Sequence, residues 1–520
     1  MCPPRNFSHS TQTSAGFSGR VKRSVWIRWA DPAHTSVQAN VLADPSVTRW
    51  GLTMVDEATQ PPTAVGLQLD EEAVQRLVAS TRGTVLRAGQ DGYDAARTVW
   101  NGMIDRSPAL IVRCVSAADV VAAVNFARNH NLLLAVRGGG HSAAGSGVCD
   151  RGLMIDLSRM KGIRVDPARR TVRAEAGLTW AEFDRETQAF GLATTGGVVS
   201  TTGIAGLTLG GGIGWLGRTY GLSCDNLVSV DIVTADGQLH TASAEENPDL
   251  FWAVRGGGGN FGVATSFEYR LHHVGPTVFG GLLIWPRTMA RDVLRLFRDF
   301  TQTAPDNASA YAALGTSPDR VPIVGLVAFC HGSITDAEAL FQPLRAFGQP
   351  VADMLQPMPY TAIQQILDVL NPPGNRVYWK SAVLRSIDDD IFEAIMANTA
   401  SSPSPLSAAT LEFYGGAINR VAVQDTAYPL RDATYALNAV STWTDPAQDD
   451  ANIRWSRQLW EAVQPFSPGS VYVNFLGVGD EGGDRIKAAY GPNYERLTQI
   501  KARYDPSNLF RLNQNIIPAG

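Results

Sequence analysis

The feature that most narrows what this chain can become is the run Val136-Arg137-Gly138-Gly139-Gly140-His141-Ser142, which follows the apolar stretch Leu132-Leu133-Leu134-Ala135. Glycines let the backbone take positive φ and approach a ligand closely, so successive N–H groups can converge on an anion such as a pyrophosphate. A histidine at the end of such a cradle reaches whatever ring system the phosphates carry. Alone, the run reads as a tight turn capped by His141. Two further blocks reverse that reading: residues 201–214, Thr-Thr-Gly-Ile-Ala-Gly-Leu-Thr-Leu-Gly-Gly-Gly-Ile-Gly, and residues 255–263, Arg-Gly-Gly-Gly-Gly-Asn-Phe-Gly-Val. Each lies beside strand-forming sequence, and the set predicts loops that wrap one long, phosphate-bearing ligand. Gly212, Gly214 and Gly217 also satisfy G-x-G-x-x-G, but a dinucleotide fingerprint follows a buried strand and opens a helix, whereas here glycines precede it. A Rossmann reading is rejected.

The rest of the composition bounds the partners. With 520 residues, 44% of them hydrophobic, the chain can bury more than one core. A net charge of -5 without a stripe of Lys and Arg among aromatics argues against nucleic acid. Its apolar runs fall short of the roughly 20 residues of a membrane span. The five cysteines, Cys2, Cys114, Cys149, Cys224 and Cys330, are scattered and lack CxxC spacing, against both a disulfide framework and a zinc site, and for a cytoplasmic protein. His272, His273 and His331 lack partners at metal-ligand spacing, so no metal is expected. Residues 1–69 begin with basic, serine-rich sequence without a hydrophobic leader and are expected to be disordered or a misassigned extension, with Met54 an alternative start.

From residue 70 the chain becomes regular. A short helix is expected over 69–82, and a strand over 109–112 then leads through Ser116, a good N-cap, into an amphipathic helix to about His130 and a second strand over 132–136. That is a βαβ unit with the glycine loop at the carboxyl end of its second strand, where open α/β architectures bind ligands. Short strands are expected at 153–157, 163–165 and 171–175, and a hairpin at 228–243 turns on Asp236-Gly237. Further on, 288–300, 335–347 and 449–466 carry helical periodicity, while 321–329 and 381–385 suit strands.

Gly-Gly-His141-Ser, the Gly210–Gly214 segment followed by Tyr220-Gly221-Leu222-Ser223-Cys224-Asp225-Asn226, the Gly259–Val263 segment, and the C-terminal Tyr504-Asp505-Pro506-Ser507-Asn508-Leu509-Phe510 with Asn513-Gln514-Asn515 together resemble the berberine-bridge-enzyme-like flavoprotein oxidases of the vanillyl-alcohol-oxidase superfamily. The resemblance runs from about residue 70 to the C-terminus. It implies an α+β fold: a helical lead-in over 70–105, a bipartite PCMH-type FAD-binding domain over 106–275, an α/β substrate domain over 276–460 with an antiparallel sheet covered by helices, and a segment over 461–520 that returns to the FAD domain.

It also implies the cofactor contacts. Arg137, Gly138, Gly139, Gly140 and Ser142 would hold the FAD diphosphate, and His141 would bond covalently to the flavin 8α-methyl group. Thr201, Thr202, Gly203, Gly206, Leu209, Gly210, Gly212, Gly262, Val263, Asn474 and Asn513 complete the expected FAD contacts. Many relatives add a bond from a cysteine where this chain has Val199, so a single covalent link is expected, with Cys224 a small buried residue. The usual catalytic tyrosine of a Tyr-x-Asn-Tyr segment falls on Phe475, and the residues after Gly415-Gly416 carry no carboxylate. Tyr472, Tyr414 and Tyr378 remain as candidate bases, with Arg376 or Lys380 as a cation to lower a phenol pKa. The expected reaction is hydride transfer from a small-molecule alcohol, sugar or secondary metabolite to flavin, with dioxygen reoxidising it to give hydrogen peroxide. A dehydrogenase with a different acceptor and a flavin-binding protein without turnover stay open as alternatives.

Overall fold

Three large sheets and the two-stranded pair of Leu192–Ala193 with His272–His273 organise the computed structural model, which describes residues 69–480 and 482–520. The expectations for residues 1–68 lie outside the described residues. The first sheet has the order Thr84–Leu86, Leu110–Arg113, Leu153–Asp156, Leu134–Arg137, its last three strands parallel. Leu110, Ile111 and Val112 are all fully buried, as a parallel strand covered on both faces requires. Ser116 accepts from the Asp119 N–H and starts the helix Ala117–Asn129, which buries Val120, Ala123, Val124 and Ala127 along one face. The βαβ reading needs one correction. The strands on either side of this helix are not neighbours, because Leu153–Asp156 inserts between them and pairs with both. The glycine loop nevertheless leaves the carboxyl end of Leu134–Arg137.

The second sheet is antiparallel, in the order Ile163–Asp166, Thr171–Glu175, Val263–Arg270, Leu227–Val233, Leu239–Ser243. Its last hairpin turns at Gly237, where φ is +80°, with Asp236 accepting from Thr234 and Gln238. The third is an eight-stranded antiparallel sheet running from Ala352–Asp353 through Thr277–Pro286, Pro322–Cys330, Ala308–Thr316, Ala408–Phe413 and Tyr435–Trp443 to Arg376–Leu384, with Gln356–Pro359 as a second partner of Thr277–Pro286.

The helices Ala290–Thr303, Ile334–Ala346, Asp389–Thr399 and Asp449–Val463 cover one face of this sheet, and its strands alternate accordingly. Leu411, Phe413, Leu437 and Ala439 enter the core shared with these helices, while Glu412 between the first two points to the opposite face. The C-terminal helix Tyr494–Tyr504 packs on Pro248–Val254. Its fully buried Lys501 donates to Asp505 and to the carbonyls of Asn260 and Phe510, which steers the following residues back along the third glycine block. Among the described residues no helix is long and apolar enough to cross a membrane.

Candidate functional site

One cavity of about 310 Å³ gathers the three glycine blocks. Arg137, Gly138, Gly139, Gly140, His141 and Ser142 form one wall, Thr202, Gly203, Gly206 and Leu209 a second, and Gly258, Gly259, Gly262 and Val263 a third. The loops approach one another at backbone distance: a Cβ on Gly139 would sit 2.4 Å from the Gly203 nitrogen, and one on Gly203 2.4 Å from the Gly139 nitrogen. No side chain larger than hydrogen fits at either position. The returning C-terminal residues Phe510, Leu512, Asn513 and Gln514 close the cradle. Arg137 Nε and Asn513 Oδ1 are buried without a protein partner, a donor and an acceptor left over in a glycine-walled cleft. This donor set and cradle fit the phosphates and polar edges of FAD.

His141 is fixed from two sides. Its ring stacks on Trp100 at 4.7 Å between centroids and 17° between planes, and its Nε2 lies 2.9 Å from Thr201 Oγ1. Burial holds its pKa down to about 4, so the imidazole is neutral. Thr201 itself is exposed and lies outside the cavity lining. Gly210 and Gly212 also lie outside the cavity lining, where they seat other residues: Gly210 packs against the Asn474 amide, and Gly212 donates its N–H to the Tyr472 hydroxyl. Val199, expected in place of a second flavin-linking cysteine, lines the cavity, and Cys224 is fully buried.

Opposite the glycine walls stands an aromatic one from the third sheet and the segment after residue 470. Trp379 and Phe475 stack at 4.8 Å, Phe475 meets Tyr472 edge-on at 4.9 Å, and Tyr311 completes the surface. Of the three tyrosines proposed as bases, only Tyr472 lines the cavity. Its oxygen accepts from the Gly212 N–H and from Asn474 Nδ2, both at 2.8 Å, yet full burial pushes its pKa up, so it stays a phenol. Tyr378 is displaced by strand alternation: its side chain faces the helix Asp449–Val463 and accepts from Arg457 Nε at 2.9 Å, while its neighbour Trp379 takes the cavity side. The cations expected to activate a tyrosine are engaged elsewhere, Arg376 with Asp449 and Lys380 with Asp480. Tyr414 lies outside the lining, its burial raising its pKa, and donates to Glu412 Oε2 at 2.7 Å.

Glu412 is the group that the sequence reading missed. It lines the cavity, is 7% exposed, and accepts from Tyr414 on Oε2 and from Asn438 Nδ2 on Oε1 at 2.9 Å. Asn438 in turn accepts from Trp379 Nε1 at 3.0 Å. Burial raises the Glu412 pKa to about 7, with the Tyr414 hydrogen bond pulling the other way. The resemblance points to a carboxylate after Gly415-Gly416, whereas here one precedes that pair, in Leu411-Glu412-Phe413-Tyr414. The signal available was a lone charge between two apolar strand residues. Asn371, Trp100 and Gln514 are further lining residues that the reading did not assign.

Comparison with known proteins agrees with this geometry. Residues 108–243 match the family described as FAD binding domain, and residues 471–517 the family described as berberine and berberine like. A FAD-linked oxidoreductase of Dictyostelium discoideum is 31% identical over 450 residues, covering 86% of this chain and 97% of that protein. The (R)-6-hydroxynicotine oxidase of Paenarthrobacter nicotinovorans is 30% identical, covering 85% and 98%. The crystal structure of 6-hydroxy-D-nicotine oxidase from Arthrobacter nicotinovorans superposes with a TM-score of 0.78 at 29% identity, over 85% of this chain and 99% of that one. With these relatives at 30% identity or more and covered over nearly their whole length, the chain belongs to the berberine-bridge-enzyme-like family of FAD-linked oxidoreductases.

Proposed function

We propose that this FAD-linked oxidoreductase is an oxidase of a small planar molecule bearing a proton on oxygen or nitrogen, with Glu412 as the proton acceptor and His141 as the covalent anchor of the cofactor. The bound flavin supplies the two-electron acceptor, and dioxygen is its reoxidant. The observation that carries the reading is Glu412: a buried carboxylate of raised pKa set within the aromatic wall of the cofactor cavity, paired across the sheet with Tyr311. The Trp379, Phe475 and Tyr311 rings offer flat apolar area to a planar substrate, and Glu412 is the one carboxylate among the described lining residues. Among the described lining residues Arg137, on the glycine wall, is the one cation, His141 being neutral, so the aromatic side has no cation to attract an anionic substrate. Tyr414 and Asn438 each use one lone-pair direction of Glu412 and orient the carboxylate, leaving it capacity to accept a substrate proton. Tyr472 and Asn474 present fixed hydrogen-bonding groups beside it.

The test is anaerobic flavin reduction in the Glu412→Gln protein with a panel of aromatic alcohols and cyclic amines. In the wild type the reduction rate is expected to rise with pH through about 7, as the carboxylate ionises. The variant should lose that limb and fall by about 10²–10⁴-fold while still holding flavin. Reduction that is unchanged in the variant removes Glu412 as base. Turnover with a dye but no peroxide in air replaces dioxygen with another acceptor.

A further inference from the structure

We propose that Thr201 is a positioning residue for cofactor attachment: it holds His141 with its proton on Nε2, so that Nδ1 is the atom that bonds to the flavin. This inference rests on the reading of His141 as the covalent anchor. Thr201 is exposed and no part of the cavity lining, and its hydroxyl meets His141 Nε2 at 2.9 Å. Trp100 covers one face of the ring at 4.7 Å, and Trp100 is itself pinned by its indole N–H to the Asn371 carbonyl at 3.0 Å and by its backbone N–H to the Gly140 carbonyl at 3.0 Å. The ring therefore has little freedom to rotate. Among the described residues Nδ1 meets no hydrogen-bonding partner, which leaves it as the ring nitrogen available to a ligand.

In a neutral imidazole one nitrogen carries the proton and the other the lone pair, and the partner of the first decides which is which. The Thr201 hydroxyl can donate or accept; in the arrangement proposed here Nε2–H donates to Thr201 Oγ1, and the lone pair sits on Nδ1. The chemistry then balances as follows. The bond formed joins Nδ1 to the carbon of the flavin 8-methyl group, and one C–H bond of that methyl breaks. The electron pair passes to the flavin and from it to dioxygen, which is reduced to hydrogen peroxide. Its two protons come from the methyl group and from Nε2, so that one histidine, one methyl group and one dioxygen give one linked flavin and one peroxide. A hydroxyl at position 201 stabilises the Nε2–H while the ring becomes transiently cationic, and a methyl group there cannot.

The experiment compares wild type, Thr201→Val, Thr201→Ser and His141→Ala, each purified with flavin, by intact mass and by flavin retained after acid precipitation. The histidyl-flavin isomer is then identified by NMR on the isolated flavopeptide. The expected result is a covalent Nδ1 isomer in wild type, near-complete linkage in Thr201→Ser, and a linkage rate reduced by about 10–100-fold in Thr201→Val, whose flavin is bound but released by acid. His141→Ala should carry no linked flavin. A wild type that releases all its flavin overturns the anchor reading and this inference with it. Linked flavin in wild type, absent from His141→Ala but unaffected in Thr201→Val or joined through Nε2, overturns the inference alone.

Discussion

Two buried carboxyls, Glu412 and Asp184, both have pKa values raised to about 7, and the surroundings decide what each can do. Glu412 opens onto the cavity and has a reason to ionise. Asp184, on the helix Trp180–Gln188, is 1% exposed and receives one hydrogen bond, from Gln364 Nε2 at 2.8 Å, while its Oδ1 is without a partner. Burial is the dominant cause of its shift, so the folded protein holds a proton that the unfolded chain, with an ordinary carboxyl, releases at lower pH. Because the folded pKa is the higher, stability falls as pH rises from about 4 to about 7 and the penalty is complete above that window. Asp184→Asn keeps the size and removes the titration. Its melting temperature should match wild type near pH 4 and exceed it at pH 8, by the equivalent of about 1–3 kcal/mol, the order of a buried polar group's desolvation penalty. Identical pH profiles for the two proteins would contradict this account.

At the level of elements, the glycine loops are the least replaceable parts. Gly139→Ala puts a Cβ 2.4 Å from the Gly203 nitrogen, backbone against backbone, so one loop must move. The expected result is a folded protein that purifies without its yellow colour, read by the ratio of flavin to protein absorbance. These loops were legible because glycine clusters have few other uses, and the Ser116-capped helix was legible because cap and periodicity agreed. The insertion of Leu153–Asp156 between its two neighbours was not, since local pattern carries no pairing partner. Glu412 escaped for a related reason. In a strand covered on both faces, alternation separates two directions without saying which leads to helices and which to a cavity. Tyr378 and Trp379 exchange roles on that same ambiguity.

At the scale of the molecule, the cavity is a joint product of distant segments, and its last wall hangs on one buried charge. Lys501 and Asp505 are both fully buried and satisfied by one another and by backbone groups, with Asp505 also accepting from the Leu509 and Phe510 N–H groups. Replacing the cation alone strands a buried carboxylate. Lys501→Met should therefore destabilise the protein by about 3–5 kcal/mol and weaken flavin retention, measured by thermal melting followed through flavin fluorescence. A variant that melts like wild type would show that the pair is dispensable.

Phe510–Gln514 reach the cavity after every other wall has been laid down along the chain. The glycine walls therefore precede the closing strip in order of synthesis, and capture of the cofactor behind that strip reports that translation has passed residue 514.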